Sequence, residues 1–316
     1  MSRPIIEAKG LIKSYGTFKA VDDLSFELLE GSVMGFLGPN GAGKSTILRM
    51  LVDLIRPVAG NLFLFGLDYR RHRGQILSRI GCLIEKPDFY RYLGALQNLE
   101  LLGRASGIPN PRQRAMEMLE FVGLAGRERD AVSSFSHGMR QRLGLAQCLL
   151  HNPDLIILDE PGTGLDPQGI VDMREMILTL NREQGKTILL SSHHLPEVEA
   201  VTTHLVLMNR GRCLVQGSAI ELLSQQDRKI RLEVDNASAA MQCLNSMLLG
   251  DKVQQSNAHY LELTLSREEL PPLIKVLVEG GIAVYAVESR QKLEDYYMQI
   301  LHQTSNETSH VVGLPL

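Results

Sequence analysis

A glycine-rich segment, Gly38-Pro-Asn-Gly-Ala-Gly-Lys-Ser-Thr46, follows an apolar run, Val33 to Leu37, and precedes a helical pattern, Ile47 to Leu54. A strand, a loop of this composition and a helix in this order are typical of a phosphate-binding loop. The glycines allow the backbone N–H groups to converge, and the N-terminus of the helix adds a positive dipole. A plain glycine-rich turn is the alternative, but it leaves the lysine and serine at their fixed offset unexplained.

Contact with ATP is predicted for every residue of this loop: Gly38, Pro39, Asn40, Gly41, Ala42, Gly43, Lys44, Ser45 and Thr46. Lys44 is predicted to reach the β- and γ-phosphates, and Ser45 to offer its hydroxyl to Mg²⁺. Thr46 is expected to hold the side of the loop that faces the α-phosphate. ATP and Mg²⁺ are therefore the expected cofactors.

A second apolar run, Leu155 to Leu158, ends in two adjacent carboxylates, Asp159 and Glu160. An acidic pair after a strand often only caps a loop. Its occurrence in a chain that also has a phosphate-binding loop favours a catalytic role instead. Asp159 is predicted to hold Mg²⁺. Glu160 is predicted to act as the general base, because it can orient and deprotonate the water that attacks the γ-phosphorus.

The remaining patterns predict an α/β core of the P-loop NTPase (RecA-like) type. Thr187 to Leu190 and Leu205 to Met208 are almost continuously apolar, as in strands buried on both faces of a parallel sheet. The shorter runs Ile5 to Ala8, Leu24 to Leu28 and Leu62 to Phe65 predict an antiparallel β subdomain. Residues 87–152 show helical spacing and no strand signal, so they are interpreted as an α-helical insertion.

The pattern changes near residue 225, which predicts a second domain. Residues 1–225 are assigned to the nucleotide-binding domain and residues 226–302 to a small C-terminal α+β domain of ferredoxin-like type. Bracing or dimerisation is the expected role of that domain. Residues 303–316 are polar and aperiodic and are expected to form a disordered tail.

The composition of the chain indicates which cellular compartment and which classes of partner to expect. Lys and Arg number 33 against 36 Asp and Glu, so no strong basic field attracts nucleic acid, and no nucleic-acid partner is expected. No apolar run approaches the roughly 18 residues that span a bilayer, and the first residues lack the apolar core of a signal peptide. A cytoplasmic protein is expected. The four cysteines are widely separated and are interpreted as reduced core thiols.

The segment Phe135-Ser-His-Gly-Met-Arg-Gln-Arg-Leu143 resembles the signature sequence of the ATP-binding cassette (ABC) family, usually Leu-Ser-Gly-Gly-Gln. The resemblance covers nearly all of Pro4 to Gly217. It implies that two nucleotide-binding domains enclose two ATP molecules head to tail, each signature capping the γ-phosphate bound by the other subunit. Ser136 and Gly138 match the positions that touch this phosphate. A simple serine helix cap explains Ser136 but not the rest of the segment.

The same resemblance implies roles for three further residues. Tyr15 matches the aromatic that stacks on adenine, although a lone tyrosine is more often part of a core. Asp166, in Gly164-Leu-Asp166, matches the loop that crosses between subunits beside the catalytic glutamate. His193 matches the switch histidine that hydrogen-bonds the γ-phosphate, with His194 as the alternative assignment.

Two departures from the family pattern are present. Glu85 occupies the place of the usual glutamine before the helical insertion, where a carboxylate can ligate Mg²⁺ or position water but adds negative charge. His137 and Met139 replace the usual Gly and Gln of the signature. Together with Ile84-Glu-Lys-Pro-Asp-Phe-Tyr90, these variants resemble exporter ATPases of the ABC-2 group, which includes antibiotic-resistance and gliding-related members.

The resemblance implies an ATP-hydrolysing subunit, peripheral on the cytoplasmic face of the membrane, that powers a separate transmembrane permease. It also implies a second ABC subunit, with a homodimer favoured over a heterodimer. A soluble ABC ATPase acting on ribosomes or DNA is the alternative, but such proteins usually carry two cassettes or long coiled-coil insertions. A GTPase-like switch gives the signature and Tyr15 no role.

Overall fold

The computed structural model describes residues 3–85, 87–224, 228–245, 253–255, 257–265, 268–290, 297 and 300. The chain divides into two compact units, Met1–Ala219 and Ile220–Leu316. The unit boundary lies slightly before the predicted domain boundary at 225/226. The predicted tail, 303–316, lies outside the described residues. No helix in the described ranges combines the length and apolar character needed to cross a bilayer.

The strands of the first unit are, in chain order, Pro4–Tyr15 (β1), Phe18–Leu29 (β2), Val33–Leu37 (β3), Ala59–Leu64 (β4), Leu67–Asp68 (β5), Ile80–Leu83 (β6), Leu155–Asp159 (β7), Thr187–Ser192 (β8), His204–Asn209 (β9) and Arg212–Ser218 (β10). Its helices are Lys44–Leu51 (α1), Arg73–Leu77 (α2), Ala95–Ala105 (α3), Pro111–Phe121 (α4), His137–Leu149 (α5), Pro167–Arg182 (α6) and Leu195–Glu199 (α7), and a short 3₁₀ turn covers Val132–Ser134. The next helix, Ala219–Ser224 (α8), begins at the last residue of the first unit and belongs otherwise to the second.

The central sheet has the strand order β10-β9-β3-β8-β7-β6. Strands β9, β3, β8, β7 and β6 pair in parallel, and β10 returns antiparallel to β9. Every residue of β3, β7 and β8 is buried, as expected for central strands of a covered parallel sheet. Because parallel strands end at the same edge, the loops after β3, β7 and β8 are brought together there.

A second sheet, of order β2-β1-β4-β5, is antiparallel. One face of this sheet joins the same apolar core as α1 and β3, where Leu24 and Phe26 of β2 lie in one cluster with Leu51 of α1. The Phe26 and Phe36 rings meet edge to face, with their centroids 5.0 Å apart, so the two sheets share a packed contact. The core therefore fixes α1, and with it the glycine-rich loop, against both sheets.

The segment between β6 and β7 is helical, as predicted. It contains α3, α4 and α5, and its described residues form no strand, only an isolated bridge between Gly94 and Ala131. Asn98 is almost fully buried, and its side-chain amide bonds the backbone of Tyr90 and Gly94. This amide holds the chain that enters the insertion against α3.

The second unit contains Arg228–Val234 (β11), Ala237–Asn245 (α9), Val253–Gln255 (β12), Tyr260–Leu265 (β13), Leu270–Glu279 (α10) and Val284–Arg290 (β14). Its sheet has the order β12-β13-β11-β14, and every pairing is antiparallel. The sequence β-α-β-β-α-β with this order is the ferredoxin-like arrangement. Its core is apolar and includes Leu232, Leu261 and Leu273. The predicted fold class is therefore confirmed.

Several helix and strand assignments, and the exposure of one cysteine, differ from the predictions. The first helix begins at Lys44 and ends at Leu51, earlier at both ends than Ile47 to Leu54. Strands β5, β10 and β12 were not predicted, because each is short or contains polar residues. The cysteines form no disulfide, but the prediction of a core location is wrong for Cys82, which is exposed on β6, a strand at the edge of the central sheet.

Gly81, a buried residue of β6, gives a test of this packing. An added Cβ would lie 2.3 Å from the carbonyl oxygen of Cys148 and 2.8 Å from Cγ of Pro153. We expect Gly81→Ala to lower the free energy of unfolding by about 1–3 kcal/mol, as overpacking does. Gly74→Ala is the matched control, since Gly74 lies in α2 with open space around it. Equal denaturation midpoints for the two variants would contradict the packing.

Candidate active site

The loop after β3 has a backbone that only glycine fits at two points. Gly38 and Gly43 have φ angles of 157° and 102°. A Cβ at Gly38 would lie 2.4 Å from the carbonyl oxygen of Met208, and one at Gly43 would lie 2.4 Å from that of Ala20. The loop is thus pressed against β9 and β2. The next residue, Lys44, begins α1, so the N-terminus of this helix opens at the loop.

Lys44 is buried, with 5% of its surface exposed. Its Nζ donates hydrogen bonds to the carbonyl oxygens of Gly38 at 2.6 Å and Pro39 at 3.3 Å, and lies 3.6 Å from Oε1 of Glu160. Burial lowers the pKa of the Lys44 ammonium, and the Glu160 and Asp159 carboxylates oppose this shift. The ammonium is therefore held by the loop beside the acidic pair.

Asp159 ends β7 and joins two neighbouring segments. Its Oδ1 accepts a hydrogen bond from Oγ of Ser45 at 3.2 Å and from Oγ of Ser191 at 2.5 Å. Ser45 belongs to α1 and Ser191 to β8, so one carboxylate oxygen links the loop after β3, the end of β7 and the end of β8. The hydroxyl of Ser45 and the carboxylate of Asp159 are hard oxygen donors of the kind that Mg²⁺ prefers.

Glu160 follows β7 with a left-handed backbone, φ 52°. Its N–H donates to Oγ of Ser191 at 3.0 Å. Its Oε2 accepts from Nδ1 of His193 at 2.5 Å and from Oγ1 of Thr163 at 3.0 Å. A carboxylate only accepts, so Nδ1 of His193 carries the proton in this contact. Two donors thus orient the Glu160 carboxylate and turn its other oxygen toward Lys44.

These groups face a cleft of about 460 Å³. The cleft is lined by Tyr15, Phe18, Ala20, Asn40, Gly41, Ala42, Gly43, Lys44, Ser45, Thr46, Glu160, Thr163 and His193. Tyr15 is 48% exposed rather than part of a core, and the Lys13 ammonium lies 5.2 Å from its ring centroid. Most of the predicted site residues are thus brought to one cavity.

Gly38, Pro39, Asp159 and Glu85 are predicted site residues outside the cleft lining. The first three are linked to residues of the lining: the Gly38 and Pro39 carbonyls accept hydrogen bonds from Lys44, and the Asp159 carboxylate accepts one from Ser45. Glu85 is 64% exposed at its side chain, and its Oε1 accepts from Nη2 of Arg49 at 2.6 Å. Arg49 is one helical turn beyond Ser45 on α1, so the ion pair lies on the same side of the helix as the Ser45 hydroxyl.

The predicted signature and cross-subunit residues also lie outside this cleft. Oγ of Ser136 accepts from the Met139 N–H at 3.2 Å and caps α5. Oδ1 of Asp166 accepts from the Gly169 N–H at 3.1 Å and caps α6. A Cβ at Gly138 would lie 3.5 Å from the side chain of Leu165. The structure therefore places these residues together at two adjoining helix starts.

Thr163 and Ser191 are site residues that the sequence analysis missed. Both bond the acidic pair through hydroxyl groups. The signal for Ser191 was its place at the end of a predicted buried strand, two residues before His193, because the carboxyl ends of parallel strands form such sites. For Thr163 the only signal was its position three residues after Glu160.

A phosphate-binding loop between a parallel strand and a helix, an acidic pair on a neighbouring strand and a helical insertion define the class of P-loop ATPases built as ATP-binding cassettes. The family model described as ABC transporter matches residues 21–163.

The relatives extend over the whole chain. An uncharacterized ABC transporter ATP-binding protein, YhcH, from Bacillus subtilis (strain 168) is 36% identical over 98% of this chain and 99% of its own length. The bacitracin transport ATP-binding protein BcrA from Bacillus licheniformis is 38% identical over 94% of this chain and 97% of its own. A solved ATP-binding subunit of an ABC transporter is 28% identical, covers 70% of this chain and 92% of its own, and superimposes with a TM-score of 0.63.

The chain belongs to the family of ABC transporter ATP-binding proteins. The resemblance drawn from the signature segment is thus confirmed. The protein is an ABC ATPase, and relatives in this family are the ATP-binding subunits of transporters.

Ser191→Ala tests the link between the acidic pair and β8. Removing this hydroxyl takes one donor from Asp159 and the side-chain partner from the Glu160 N–H. A lost bond to a charged group of this kind is worth about 1.5–3 kcal/mol. We expect the kcat of ATP hydrolysis to fall by about tenfold or more, since 1.4 kcal/mol is tenfold.

Ser192→Ala is the control for that variant. Ser192 is equally buried, but its hydroxyl accepts from the His194 N–H and contacts neither carboxylate. Its kcat is expected to stay near that of the unmodified protein. Wild-type turnover in Ser191→Ala would show that the hydroxyl does not support the site.

Proposed function

We propose that the protein is the Mg²⁺-dependent ATPase subunit of an ABC-2 type exporter. It pairs with a second ABC subunit, in a homodimer rather than a heterodimer, and drives a separately encoded transmembrane permease from the cytoplasmic face of the membrane. The observation that supports this most directly is the position of Glu160. Its carboxylate is oriented by two donors, His193 and Thr163, and lies beside the Lys44 ammonium.

Lys44 and the loop are proposed to bind the triphosphate. In this structure the ammonium donates to the carbonyl oxygens of Gly38 and Pro39. The β- and γ-phosphates of ATP replace these carbonyls with charged acceptors, which form stronger hydrogen bonds. The loop N–H groups and the N-terminus of α1 add to the binding. Tyr15, half exposed at the rim of the cleft, stacks on the adenine.

Glu160 is proposed to be the general base. Water attacks the γ-phosphorus, the bond from that phosphorus to the bridging oxygen breaks, and the water proton passes to the Glu160 carboxylate. Oε2 is engaged by His193 and Thr163, so Oε1 accepts the proton. His193 positions the carboxylate through Nδ1–H, and its Nε2 can donate to the γ-phosphate only in the imidazolium form, in which both ring nitrogens carry a proton.

Mg²⁺ is proposed to bind at Ser45 and Asp159, whose oxygen atoms already lie within 3.2 Å of each other. No group of three or more His, Cys, Asp or Glu side chains that could hold a metal occurs among the described residues. Mg²⁺ is commonly bound through one or two carboxylates, substrate phosphates and water, and the Asp159 carboxylate beside the Ser45 hydroxyl fits that pattern. When bound, the ion neutralises charge on the β- and γ-phosphates. Glu85 is proposed to bind the ion or orient its water.

The dimer is proposed because the predicted signature residues do not line the cleft that Lys44, Ser45 and Glu160 face. Ser136 and Gly138 are absent from its lining, whereas the helix start they form offers N–H groups to an anion. A second subunit placed head to tail supplies that helix start to the γ-phosphate. Asp166 then lies at the crossing between the subunits.

The permease is proposed to dock near Glu85 and the helical insertion. Tyr90 and Tyr92 follow Glu85 closely, are 53% and 76% exposed, and have ring centroids 6.1 Å apart. Exposed aromatic pairs are typical of binding surfaces. The relative from Bacillus licheniformis is a bacitracin transport ATP-binding protein, which supports an antibiotic as the cargo.

Glu160→Gln tests the base. The amide keeps the shape and the contact with Thr163 but cannot take a proton, so kcat should fall by about 100-fold or more. ATP binding, measured by calorimetry, should persist, and dimers should accumulate in size-exclusion chromatography with ATP. Glu183→Gln, at the exposed end of α6, is the matched control. Near-normal turnover of Glu160→Gln would remove Glu160 from this role.

Glu85→Gln and Arg49→Met separate two roles of Glu85. Both variants break the 2.6 Å ion pair, but only Glu85→Gln removes a carboxylate that Mg²⁺ can use. Glu85→Gln should raise the Mg²⁺ concentration needed for half-maximal hydrolysis by about tenfold or more. Arg49→Met should leave it essentially unchanged. Equal shifts in the two titrations would mean that Glu85 acts only through its ion pair.

A further inference from the structure

His137 begins α5, directly after the capping serine, and its ring lies against the loop that follows Glu160. Its Nε2 is 3.1 Å from the carbonyl oxygen of Thr163. A carbonyl only accepts, so Nε2 carries the proton and donates it to this bond. A Cβ on Gly164 would lie 3.0 Å from Nε2 and 3.1 Å from Cδ2 of the ring. Gly164 therefore leaves room for the imidazole.

A second side chain of α5 holds the same loop. Gln141 is one helical turn after His137, and its buried amide donates to the carbonyl oxygen of Pro161 at 3.4 Å. Residues four apart lie on one face of a helix. Side chains on this face of α5 thus donate hydrogen bonds to the loop at the carbonyls of residues 161 and 163.

The loop in turn holds the proposed base. Thr163, whose carbonyl receives the His137 bond, donates its own hydroxyl to Oε2 of Glu160 at 3.0 Å. The Thr163 N–H also donates to the Glu160 carbonyl at 3.1 Å, which closes a tight turn. A continuous path of hydrogen bonds therefore runs from the start of α5 through Thr163 to the Glu160 carboxylate.

We propose that His137 is a positioning residue for ATP hydrolysis: by fixing Thr163, it fixes the carboxylate of Glu160 in the orientation that deprotonates water. The inference rests on the proposed role of Glu160. Within its own chain His137 is not part of the cleft lining, and its Nε2 is engaged by the Thr163 carbonyl. Its loss should therefore change kcat and leave the ATP concentration for half-maximal rate nearly unchanged.

His137→Leu and His137→Gln form the primary test. Leucine fills similar space without a donor, whereas the glutamine amide can donate to the Thr163 carbonyl. Misplacing a catalytic group by about 1 Å costs up to about 100-fold in rate. We expect kcat to fall by about 10- to 100-fold in His137→Leu, with KM for ATP unchanged, and to recover substantially in His137→Gln.

His151→Leu is the matched control. Nε2 of His151 also bonds a backbone carbonyl, that of Ile80 at 3.0 Å, but just beyond the opposite end of α5. Its kcat should equal that of the unmodified protein. His137→Asn provides a second loss variant should leucine disturb folding, because asparagine is polar, like histidine, and is too short to reach the carbonyl.

A double-mutant cycle with Thr163→Val tests the order of the path. If His137 acts through Thr163, the two losses in kcat combine to less than their product, because each breaks the same path. Losses that multiply fully would overturn the proposal, as would a wild-type kcat in both His137→Leu and His137→Asn. So would equal losses in kcat and in ATP affinity, which a general structural defect produces.

Glu160→Gln in the same assays separates this inference from the function on which it rests. Hydrolysis that is abolished by Glu160→Gln but unaffected by His137→Leu refutes the positioning role alone. Hydrolysis that survives in Glu160→Gln refutes both, because no base would then need positioning.

Discussion

The carboxylate of Asp159 is the contact on which the site depends. One of its oxygens accepts from Ser45 on α1 and from Ser191 on β8, so three elements that are distant in sequence are joined at one edge of the parallel sheet. Ser191 then bonds the N–H of Glu160 and continues the linkage to the proposed base. The burial of β3, β7 and β8 makes this edge rigid, because strands covered on both faces have little freedom to shift.

Much of the fold was predictable because its signals are local. Continuous apolar runs marked the central strands, and the glycine loop with its lysine marked the phosphate site before any contact was known. The prediction that Tyr15 belongs to the site depended on the family resemblance alone, and the structure places its side chain at the rim of the cleft. The antiparallel pairing of β10 with β9 was missed, since a strand half composed of polar residues gives no clear periodicity.

The connections within the site were not predictable, because they depend on which loops meet in space. No sequence pattern indicates that Arg49 pairs with Glu85, or that the His137 ring reaches the Thr163 carbonyl. The substitution of His for the usual glycine at 137 was visible, but its consequence was not. In the structure, the His137 side chain forms a hydrogen bond between the start of α5 and the loop that follows Glu160.

We propose that this ATPase drives a separate membrane subunit. The most direct test of this proposal is affinity purification of the chain, gently solubilised from its native membrane, with mass-spectrometric identification of what remains bound. We expect a polytopic membrane protein in stoichiometric amount, together with ATP hydrolysis by the purified assembly. Ribosomal proteins or DNA-repair factors in its place, with no membrane protein, would contradict it.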